Sequence, residues 1–321
     1  MPTAVITGIS GQDGYYLAEH LLSLGQAVVG TTHRSDASAS IDVGGRLIPL
    51  RFLDLSSAQA VDDFIDAHRP DALYNLAARA SSAQLFDDPL ATTDINGVAV
   101  ARLLEAIRRH SPRTRLCQAS SSEIFAGATR SPQDEHTPRA PLNAYGAAKL
   151  FADHMIAAYR HQHGLFACSA ILYPHESPRR PHHFLVRKVT HAAARAAAGL
   201  DGAVALGDLA ALRDWGYAPD VARAMALMIA ADVPRDFVIA TGVSHSVEDV
   251  CRLAFAHVGL DWRAHVTVDG NLVRPQESVR RVGDATLART ELGWAPSLDF
   301  AQMIGRLVDT DRTLLSDVSR P

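Results

Sequence analysis

The sequence predicts an α/β protein built on a doubly wound parallel sheet. In the first half of the chain, short apolar segments alternate with longer amphipathic ones, and strands that alternate with helices form parallel βαβ units. A turn with glycine at positions 8, 11 and 14 also lies directly between the first predicted strand and the first predicted helix. This placement is typical of the Rossmann dinucleotide-binding fold.

The predicted elements follow one another at short intervals. Runs of apolar and β-branched residues predict strands over residues 3–6, 26–31, 72–77, 114–119 and 166–172. Apolar residues at helical spacing predict helices over residues 15–24, 58–68, 96–109 and 144–163. After residue 174 the pattern loosens. We therefore expect residues 1–173 to form the nucleotide-binding domain, with later segments returning to it. Residues 174–321 are expected to form mainly a smaller α/β lobe that binds substrate over the carboxyl ends of the strands.

Composition excludes several classes of protein. The 321 residues are 47% hydrophobic and carry a formal net charge of −4, so the chain can bury a large core but offers no basic run to a nucleic acid. No apolar run approaches the ~20 residues that a membrane-spanning helix needs. Cys117, Cys168 and Cys251 lack CxxC spacing, which favours reduced thiols in a cytoplasmic protein. We expect a small-molecule partner, and neither a nucleic acid nor a membrane.

The glycine-rich turn predicts a dinucleotide site. Gly8 permits the tight turn, Gly11 lets the backbone approach a pyrophosphate, and Gly14 lets the helix pack closely on the strand. The pyrophosphate then faces free N–H groups at the helix N-terminus. An ordinary glycine-containing loop is the alternative, but it does not explain the position between a strand and a helix. The candidate cofactor contacts in the turn are Gly8, Ser10, Gly11, Gln12, Asp13 and Gly14.

The end of the second predicted strand indicates which cofactor binds. An acidic side chain there contacts the ribose 2′-hydroxyl of NAD, whereas arginine accommodates the 2′-phosphate of NADP. Arg34 and Ser35 follow this strand, and the first carboxylate is Asp36, so we expect NADP, held by a charge-assisted bond from Arg34. Alternatively, Arg34 is only a solvated surface residue. Asp54 and Leu55 close another strand and are expected to contact the adenine.

Four side chains form a candidate catalytic set. Tyr145 and Lys149 lie four residues apart on a predicted helix, so both leave the same face. A lysine ammonium beside a phenol is expected to lower the pKa of Tyr145, which suits a group that removes a hydroxyl proton. Ser121 and Glu123 follow the predicted strand that ends at residue 119. A YxxxK pair is often only a surface pair, but this one follows a nucleotide turn and a serine-rich strand end.

On these residues the chain resembles the GDP-mannose 4,6-dehydratase family of extended short-chain dehydrogenases. The similarity runs almost end to end, through the segments TGISGQDGYYLAEHLL, NLAA, QASSSEIF, YGAAK, HESPRR, RDWG, DFVIATG, RPQE and ELGW. HESPRR and RDWG are much more specific than the glycine turn or YxxxK, which the whole superfamily shares.

The resemblance implies an NADP-dependent enzyme that dehydrates a nucleotide sugar, with GDP-mannose favoured. Tyr145 is expected to take the proton of the sugar 4-hydroxyl as hydride moves from C4 to NADP⁺. Ser121 would hydrogen-bond the 4-oxygen, and Lys149 would hold the nicotinamide ribose. Glu123 would then remove the C5 proton, water would leave from C6, and the hydride would return there to give a 4-keto-6-deoxy sugar. Glu123 decides the reaction type, because sibling epimerases and reductases usually lack this carboxylate.

The resemblance also implies further contacts. Expected cofactor contacts are Leu76, Ala77 and Ala78 of NLAA, with His175 and Arg180 of HESPRR. Expected substrate contacts are Glu176 facing the sugar, and Lys188, Arg213, Arg274 and Glu277 near the nucleotide and diphosphate, which suits the bidentate bonding of arginine to phosphate. No metal is expected, because no carboxylate or cysteine completes a site with the histidines His161, His163, His182 and His183.

Several positions depart from the family pattern. Leu85, Pro174 and Leu212 stand where a small hydroxyl residue, an asparagine and a lysine are usual near the substrate, which leaves another GDP- or NDP-hexose or heptose open. Two other functions also stay open. One is an epimerase or 4-ketoreductase of the same superfamily, and the other is a non-catalytic NADP-binding protein.

The assembly is expected to be a homodimer, with the family's tetramer as the alternative. Residues 35–45 form a short segment without basic side chains, and in the family this loop reaches a neighbouring subunit. In the superfamily, the helices predicted over residues 96–109 and 144–163 pair in a four-helix dimer interface. Its expected apolar residues are Ala101, Leu103, Leu104, Ile107, Leu150, Ile156 and Ala157. If these residues face only their own sheet, the protein is a monomer.

Overall fold

The structure is a computed structural model that describes residues 3–79, 88–272 and 280–318. Within these residues the strands are β1 (Thr3–Thr7), β2 (Ala27–Thr32), β3 (Ser40–Val43), β4 (Arg46–Phe52), β5 (Ala72–Asn75), β6 (Arg115–Ala119), β7 (Ala167–Leu172), β8 (His175–Glu176), β9 (Val204–Leu206), β10 (Leu212–Arg213), β11 (Gly216–Tyr217), β12 (Phe237–Ile239), β13 (His245–Ser246) and β14 (Val266–Val268). The α-helices are α1 (Gln12–Ser23), α2 (Ala58–His68), α3 (Pro89–Thr93), α4 (Ala99–His110), α5 (Ala144–His163), α6 (Leu185–Ala197), α7 (Ala218–Ala230), α8 (Val247–His257), α9 (Thr286–Leu292) and α10 (Phe300–Val318). A π-helical turn, Asp94–Val98, leads into α4, and tighter helical turns occupy Ser122–Phe125, Trp262–Ala264 and Gly270–Leu272.

Eight strands form one sheet in the order β12-β7-β6-β5-β1-β2-β4-β3. Neighbouring strands run parallel from β12 to β4, and the edge pair β3 and β4 is antiparallel. Because β1 lies between β2 and β5, the chain winds outward in both directions from β1. This confirms the doubly wound α/β fold. It also places the switch point, where such sheets bind ligands, at the carboxyl end of β1.

The central strands are apolar along their length because helices cover both faces of the sheet. Alternate residues of β1 show this arrangement. Ala4 and Ile6 pack with residues of α1 and α7 on one face, whereas Val5 packs with residues of α2, α4 and α5 on the other. The site therefore rests on strands that are fixed from two sides.

Most predicted elements of the first half are present. The helices predicted over residues 58–68 and 144–163 coincide with α2 and α5. The helix predicted over residues 96–109 begins instead as the π-helical turn and continues as α4. The hairpin of β3 and β4 is absent from the prediction. Its turn contains Gly44 and Gly45 with φ of 58° and 80°, a conformation that glycine adopts readily.

Beyond residue 174 the chain contributes to two cores. α7 packs against α1, and β12 extends the main sheet beside β7, so this part of the chain returns to the sheet. α6, α8 and α10 surround a second apolar core that includes Trp215, Phe255 and Phe300. The division of the chain at residue 173 stays a prediction.

The apolar residues expected at a dimer interface lie mainly inside the protein. Leu103, Leu104, Ile107 and Ile156 are 0–1% exposed and belong to the core between the sheet and α2, α4 and α5. The expectation is wrong for these four residues, because they face their own sheet. A dimer through this face would need other side chains.

Two predictions from composition concern membrane-spanning helices and reduced cysteines. Across the described residues we find no helix that unites the length and the apolar character required to cross a bilayer. Cys117, Cys168 and Cys251 are buried and free.

Candidate active site

The glycine-rich turn lies at the carboxyl end of β1 and touches the end of β5. Gly8 has φ +69°, and a Cβ at this position would lie 2.9 Å from the Ala77 nitrogen. A Cβ on Gly14 would lie 2.5 Å from the Gly8 oxygen. The Thr7 hydroxyl accepts hydrogen bonds at 3.1 Å from the nitrogens of Leu76 and Ala77. The turn is therefore a backbone cradle in which a Cβ at Gly8 or Gly14 would collide with the surrounding protein backbone.

This cradle fits the diphosphate of a dinucleotide. Gly11 is the N-cap of α1, and within the described part of the chain no side chain caps that end of the helix. The first N–H groups of α1 thus keep their capacity to bind an anion. Ser10 is exposed at the turn. These observations support the predicted cofactor roles of Gly8, Gly11 and Gly14.

Gln12 and Asp13 are also bonded to the HESPRR segment. Asp13 Oδ1 lies 2.9 Å from His175 Nε2. The Gln12 amide donates to the His175 carbonyl at 3.2 Å and accepts from the Ser177 hydroxyl at 2.7 Å. Burial opposes both charges of the Asp13–His175 pair, but their attraction lowers the pKa of Asp13 and raises that of His175. The structure thus places His175 against the glycine-rich turn, and its contact with the cofactor stays a prediction.

Arg34 and Ser35 lie just beyond β2, at the same edge of the sheet as the glycine-rich turn. The Arg34 side chain is 66% exposed, and its guanidinium pairs with the Asp36 carboxylate at 3.1 Å. A phosphate group can reach this exposed guanidinium, but it would compete with Asp36.

The expected adenine contacts and the other expected cofactor contacts of the NLAA segment also lie at carboxyl ends of strands. Asp54 follows β4 and accepts hydrogen bonds from the Ser56 nitrogen and hydroxyl at 2.9 and 2.6 Å. Leu55 is buried in the core of the sheet, so its side chain packs inside the protein rather than against an adenine. Residues 76–78 follow β5, with Leu76 and Ala77 half-buried and Ala78 exposed.

Ser121 and Glu123 lie directly after β6. The Ser121 hydroxyl accepts a hydrogen bond from the Glu123 nitrogen at 3.2 Å, and the Ser121 side chain also hydrogen-bonds Tyr145. α5 approaches this turn closely, because a Cβ on Gly146 would lie 2.7 Å from the Glu123 carbonyl oxygen. The structure therefore brings three of the four candidate catalytic residues together.

Asn143 begins α5 and was not among the predicted site residues. Its Oδ1 accepts a hydrogen bond from the Gly146 nitrogen at 2.8 Å, and its Nδ2 donates to Glu123 Oε2 at 2.8 Å. Asparagine directly before a helix is a common N-cap, and this signal was available in the sequence. One side chain thus joins the helix that carries Tyr145 to the Glu123 carboxylate.

Lys149 lies one turn beyond Tyr145 and is 1% exposed. Its Nζ donates to the Ala119 carbonyl at 2.6 Å and lies 5.6 Å from the Tyr145 ring centroid. Burial lowers the pKa of Lys149 to about 8, although the charge of Asp153 opposes this. Burial raises the pKa of Tyr145 to about 12, against the effect of the Ser121 bond. The expected lowering of the Tyr145 pKa is therefore wrong for this structure, because removal of the phenol from water dominates.

A buried carboxylate behind Lys149 was also missed. Asp153 lies four residues after Lys149 on α5 and accepts hydrogen bonds from the Ser120 and Ser169 hydroxyls, both at 2.7 Å. Burial raises the pKa of Asp153 to about 6, although the two hydroxyls favour its ionised form. The spacing of four residues from a lysine on one helix face was the available sequence signal.

Both carboxylate oxygens of Glu123 have partners. Glu123 Oε1 lies 2.5 Å from Arg281 Nη1, and Oε2 accepts the bond from Asn143. Burial alone would raise the pKa of Glu123, but Arg281, Asn143 and the nearby charge of Arg213 together hold it below its ordinary value. Glu123 is therefore an ionised carboxylate at neutral pH. Arg281, which lies 158 residues away in sequence, was not predicted.

The predicted ligand contacts on HESPRR and α6 are side chains that also interact with other groups of the protein. Glu176 is buried, and its Oε2 lies 3.8 Å from the Arg180 Nε. Burial raises the pKa of Glu176 despite the charge of Arg180. The Arg180 guanidinium also stacks on the Phe184 ring at 3.7 Å. Lys188 Nζ donates to the Ala205 carbonyl at 2.7 Å.

Arg213 is a predicted nucleotide or diphosphate contact whose charge acts on the catalytic set. It lies on β10, half-buried, close enough to Glu123 to lower its pKa. Arg274 and Glu277 lie outside the described residues, as does Leu85, so their predicted roles stay predictions.

One histidine cluster differs from the prediction. Ligand atoms of His182, His191 and Asp311 lie within 4.8 Å of one another, so the expectation that no carboxylate accompanies these histidines is wrong for His182. The buried Arg187 guanidinium bonds both Asp311 oxygens at 2.6 Å and lies 3.0 Å from His182 Nε2. Because this fixed positive charge repels a cation, the cluster is better explained as a structural network.

The fold and the site define an extended short-chain dehydrogenase, with Ser121, Tyr145 and Lys149 beside a nucleotide-binding turn. Glu123 adds a fourth functional group to this set. The family described as GDP-mannose 4,6 dehydratase matches residues 5–307, and the chain belongs to this family.

Individual relatives agree with this assignment. The chain is 42% identical over 325 residues to "GDP-mannose 4,6 dehydratase 2" of Arabidopsis thaliana, with 97% of this chain and 87% of that protein covered. It is 36% identical to the GDP-mannose 4,6 dehydratase of Homo sapiens, with 97% and 92% covered. A UDP-glucose 4-epimerase of Thermus thermophilus, solved in complex with NAD, matches with a TM-score of 0.82 and 26% identity, covering 97% and 99% of the two chains. The resemblance inferred from the motifs is confirmed.

Proposed function

We propose that this enzyme is a nucleotide-sugar 4,6-dehydratase that converts GDP-mannose to the GDP-linked 4-keto-6-deoxy sugar without net oxidation or reduction. Relatives that match nearly the whole chain carry this activity in their names. The observation that carries the proposal is the ionised Glu123 carboxylate in the same site as Ser121 and Tyr145. Oxidation at C4 alone has no use for such a base, whereas loss of water across C5 and C6 requires one.

Tyr145 and Ser121 act on the sugar 4-oxygen. The Tyr145 phenol takes the proton of the 4-hydroxyl, and Ser121 hydrogen-bonds the oxygen as it becomes a carbonyl. When bound, the oxidised nicotinamide supplies the hydride acceptor and a positive charge, and a positive charge favours the phenolate. Lys149 holds the nicotinamide ribose with its ammonium, whose fixed position follows from its bond to the Ala119 carbonyl.

Glu123 then acts at C5. The new C4 carbonyl acidifies the neighbouring C5 proton, and the Glu123 carboxylate removes it. The electrons of the C5–hydrogen bond form a double bond to C6 as the bond from C6 to its hydroxyl oxygen breaks. The departing hydroxyl takes up a proton and leaves as water. The hydride taken from C4 then returns to C6 and a proton adds to C5, which gives the 4-keto-6-deoxy sugar and uses the two protons that Tyr145 and Glu123 removed. Asn143 bonds both Glu123 Oε2 and the first turn of α5, so it holds this base at a fixed position relative to the helix that carries Tyr145.

The cofactor is proposed to be NADP in particular. A nicotinamide dinucleotide fits the cradle of Gly8 and Gly14, and the related fold of the Thermus epimerase holds NAD. The preference for NADP rests on the exposed Arg34 guanidinium and the Ser35 hydroxyl at the end of β2. A 2′-phosphate carries more negative charge than the single Asp36 carboxylate that now pairs with Arg34, so it competes well for this guanidinium.

The proposed substrate contacts are Glu176, Lys188 and Arg213, together with Arg274 and Glu277. Positive charge at Arg213 and Lys188 suits a diphosphate, and Glu176 can accept hydrogen bonds from sugar hydroxyls. His175 and Arg180 are proposed to contact the cofactor. The enzyme is further proposed to act in the cytoplasm as a homodimer, and to have its substrate lobe mainly within residues 174–321.

Product mass tests the proposal. Purified protein is incubated with a panel of NDP-sugars and either NADP or NADPH, and the product masses are measured by mass spectrometry. Dehydration of GDP-mannose, seen as the loss of one water without consumption of reduced cofactor, is the expected result, and Tyr145→Phe serves as the inactive control. An unchanged mass with altered stereochemistry would identify an epimerase, and a gain of two hydrogens with consumption of NADPH would identify a ketoreductase.

A further inference from the structure

Arg281 bonds the Glu123 carboxylate oxygen that Asn143 leaves free, and the proposed chemistry gives Arg281 no role. Its side chain is 10% exposed, and its Nη1 lies 2.5 Å from Glu123 Oε1. The Glu123 side chain is 26% exposed, so the carboxylate remains accessible although both of its oxygens have partners. A charge-assisted bond of this kind fixes both the direction and the ionisation of a carboxylate.

The backbone around Arg281 is held by one buried side chain, Gln133. The Gln133 amide donates to the Arg280 carbonyl at 3.2 Å and accepts from the Val282 nitrogen at 3.1 Å. The Tyr173 hydroxyl also donates to Gln133 Oε1 at 2.7 Å. The backbone on both sides of Arg281 is therefore hydrogen-bonded to a buried side chain, which fixes the position from which the guanidinium extends.

Among the residues that the structure describes, two cations and one further ionisable group interact electrostatically with Glu123. Arg281 and Arg213 are the cations, and Tyr145 is the ionisable group on α5. Burial disfavours the carboxylate, and the charge of Arg281 is the largest effect that opposes burial. A carboxylate with a lowered pKa is a weaker base but is ionised over a wider pH range, and it gives up its captured proton more readily.

We propose that Arg281 is a positioning residue for the elimination step, which aims the Glu123 carboxylate at the C5 proton and keeps it ionised. This inference rests on the proposed dehydratase function. In that step Glu123 takes the C5 proton, the carbon–carbon double bond forms, and the C6–oxygen bond breaks with loss of water. Arg281 touches neither reacting carbon and acts only through Glu123.

The test compares Arg281→Leu with Arg281→Lys and with Arg280→Leu. Arg280 is exposed and immediately precedes Arg281, so Arg280→Leu removes a positive charge from the same segment while leaving the carbonyl that Gln133 binds. Arg281→Leu should lower kcat roughly ten- to a hundredfold with little change in KM, since one charge-assisted bond is lost. The acidic limb of its pH–kcat profile should move to higher pH. Arg281→Lys should restore the limb, and Arg280→Leu should match the wild type.

A second measurement follows Glu123 directly. Infrared titration of the carboxylate band that Glu123→Gln removes should show this group ionising at higher pH in Arg281→Leu than in the wild type. An unshifted band and an unshifted acidic limb overturn the proposal, and a rise in KM alone assigns Arg281 to substrate binding instead. If Arg281→Leu does not fold, the same comparison between Arg281→Lys and Arg281→Gln decides, because only lysine keeps the charge. A wild type that dehydrates no NDP-sugar refutes the proposed function, whereas an active wild type with unaffected Arg281 variants refutes only the role of Arg281.

Discussion

Replacing Gly8 with alanine tests the cradle on which cofactor binding depends. The new Cβ would lie 2.9 Å from the Ala77 nitrogen and 3.0 Å from the Ala77 Cα, and these backbone atoms lie just beyond the end of the central strand β5. A left-handed conformation costs a residue with a Cβ about 1–2 kcal/mol, and overpacking costs about 1–3 kcal/mol more. We therefore expect Gly8→Ala to lose about 2–5 kcal/mol of unfolding free energy and to bind cofactor more weakly, because the turn must move away from β5.

Gly25→Ala is the matched control. Gly25 has φ +75°, close to the φ of +69° at Gly8, but nothing lies within 4 Å of a Cβ built there. Gly25→Ala should lose only about 1–2 kcal/mol of unfolding free energy, from backbone strain alone. The variant should bind cofactor as the wild type does. Denaturant unfolding measures the first difference, and fluorescence titration with NADPH measures the second. Equal stability losses with unchanged NADPH binding in both variants would refute the steric reasoning.

Four further outcomes test other parts of the site. Glu123→Gln should reduce product formation by about 10²–10⁴-fold with nearly unchanged NADP affinity; turnover near that of the exposed control Glu248→Gln would contradict a role as base. Arg34→Ala should weaken NADPH binding about ten- to a hundredfold relative to NADH in fluorescence titrations, and equal wild-type affinities for the two cofactors would refute the preference. Asp153 holds its proton more tightly in the folded protein, with a pKa of about 6 against an ordinary 3.8, so ionisation destabilises the fold as pH rises through this range. In thermal unfolding, Asp153→Asn should not lose stability over this pH range as the wild type does. If the variant and the wild type lose stability in parallel as pH rises, the reasoning about Asp153 is wrong. Light scattering of the NADP-loaded protein should give a dimer, and a stable tetramer at low micromolar concentration would show that the short segment 35–45 does not decide assembly.

The parts of the fold that could be predicted are those whose cause is local. α2 and α5 begin at Ser57 and Asn143, whose side chains accept hydrogen bonds from the first turn of each helix, and side-chain caps of this kind mark a helix start in the sequence. The glycine-rich turn could be predicted residue by residue, because a Cβ at Gly8 or Gly14 would lie too close to neighbouring backbone atoms. The hairpin of β3 and β4 was missed, although Gly44-Gly45 is a usual two-residue turn signal for a hairpin.

The surroundings of Glu123 could be predicted only in part. Its place two residues after Ser121 was visible, since both follow one strand. Arg281 reaches it from a segment that Gln133 fastens to the interior, and no local pattern records a contact across 158 residues. The expected interface residues failed for a related reason. Leu103 and Ile107 are apolar on a helix, and sequence periodicity marks an apolar face without saying what covers it.

Tyr145 and Lys149 show that sequence spacing can predict which side chains share a helix face but cannot predict their pKa values. Their separation of four residues correctly placed both side chains on one face of α5. The effect of Lys149 on the phenol depends on what else surrounds the two groups. The ammonium donates to the Ala119 carbonyl at 2.6 Å, and the same burial that lowers the pKa of Lys149 to about 8 raises that of Tyr145 to about 12. Because burial disfavours both charged forms, the lysine alone does not prepare the phenolate. In the proposed reaction the oxidised nicotinamide brings a further positive charge, which favours the Tyr145 phenolate. It follows that activity should depend on cofactor redox state at the proton-transfer step as well as at hydride transfer. A Tyr145 hydroxyl that titrates at the same pH with and without oxidised cofactor would contradict this coupling.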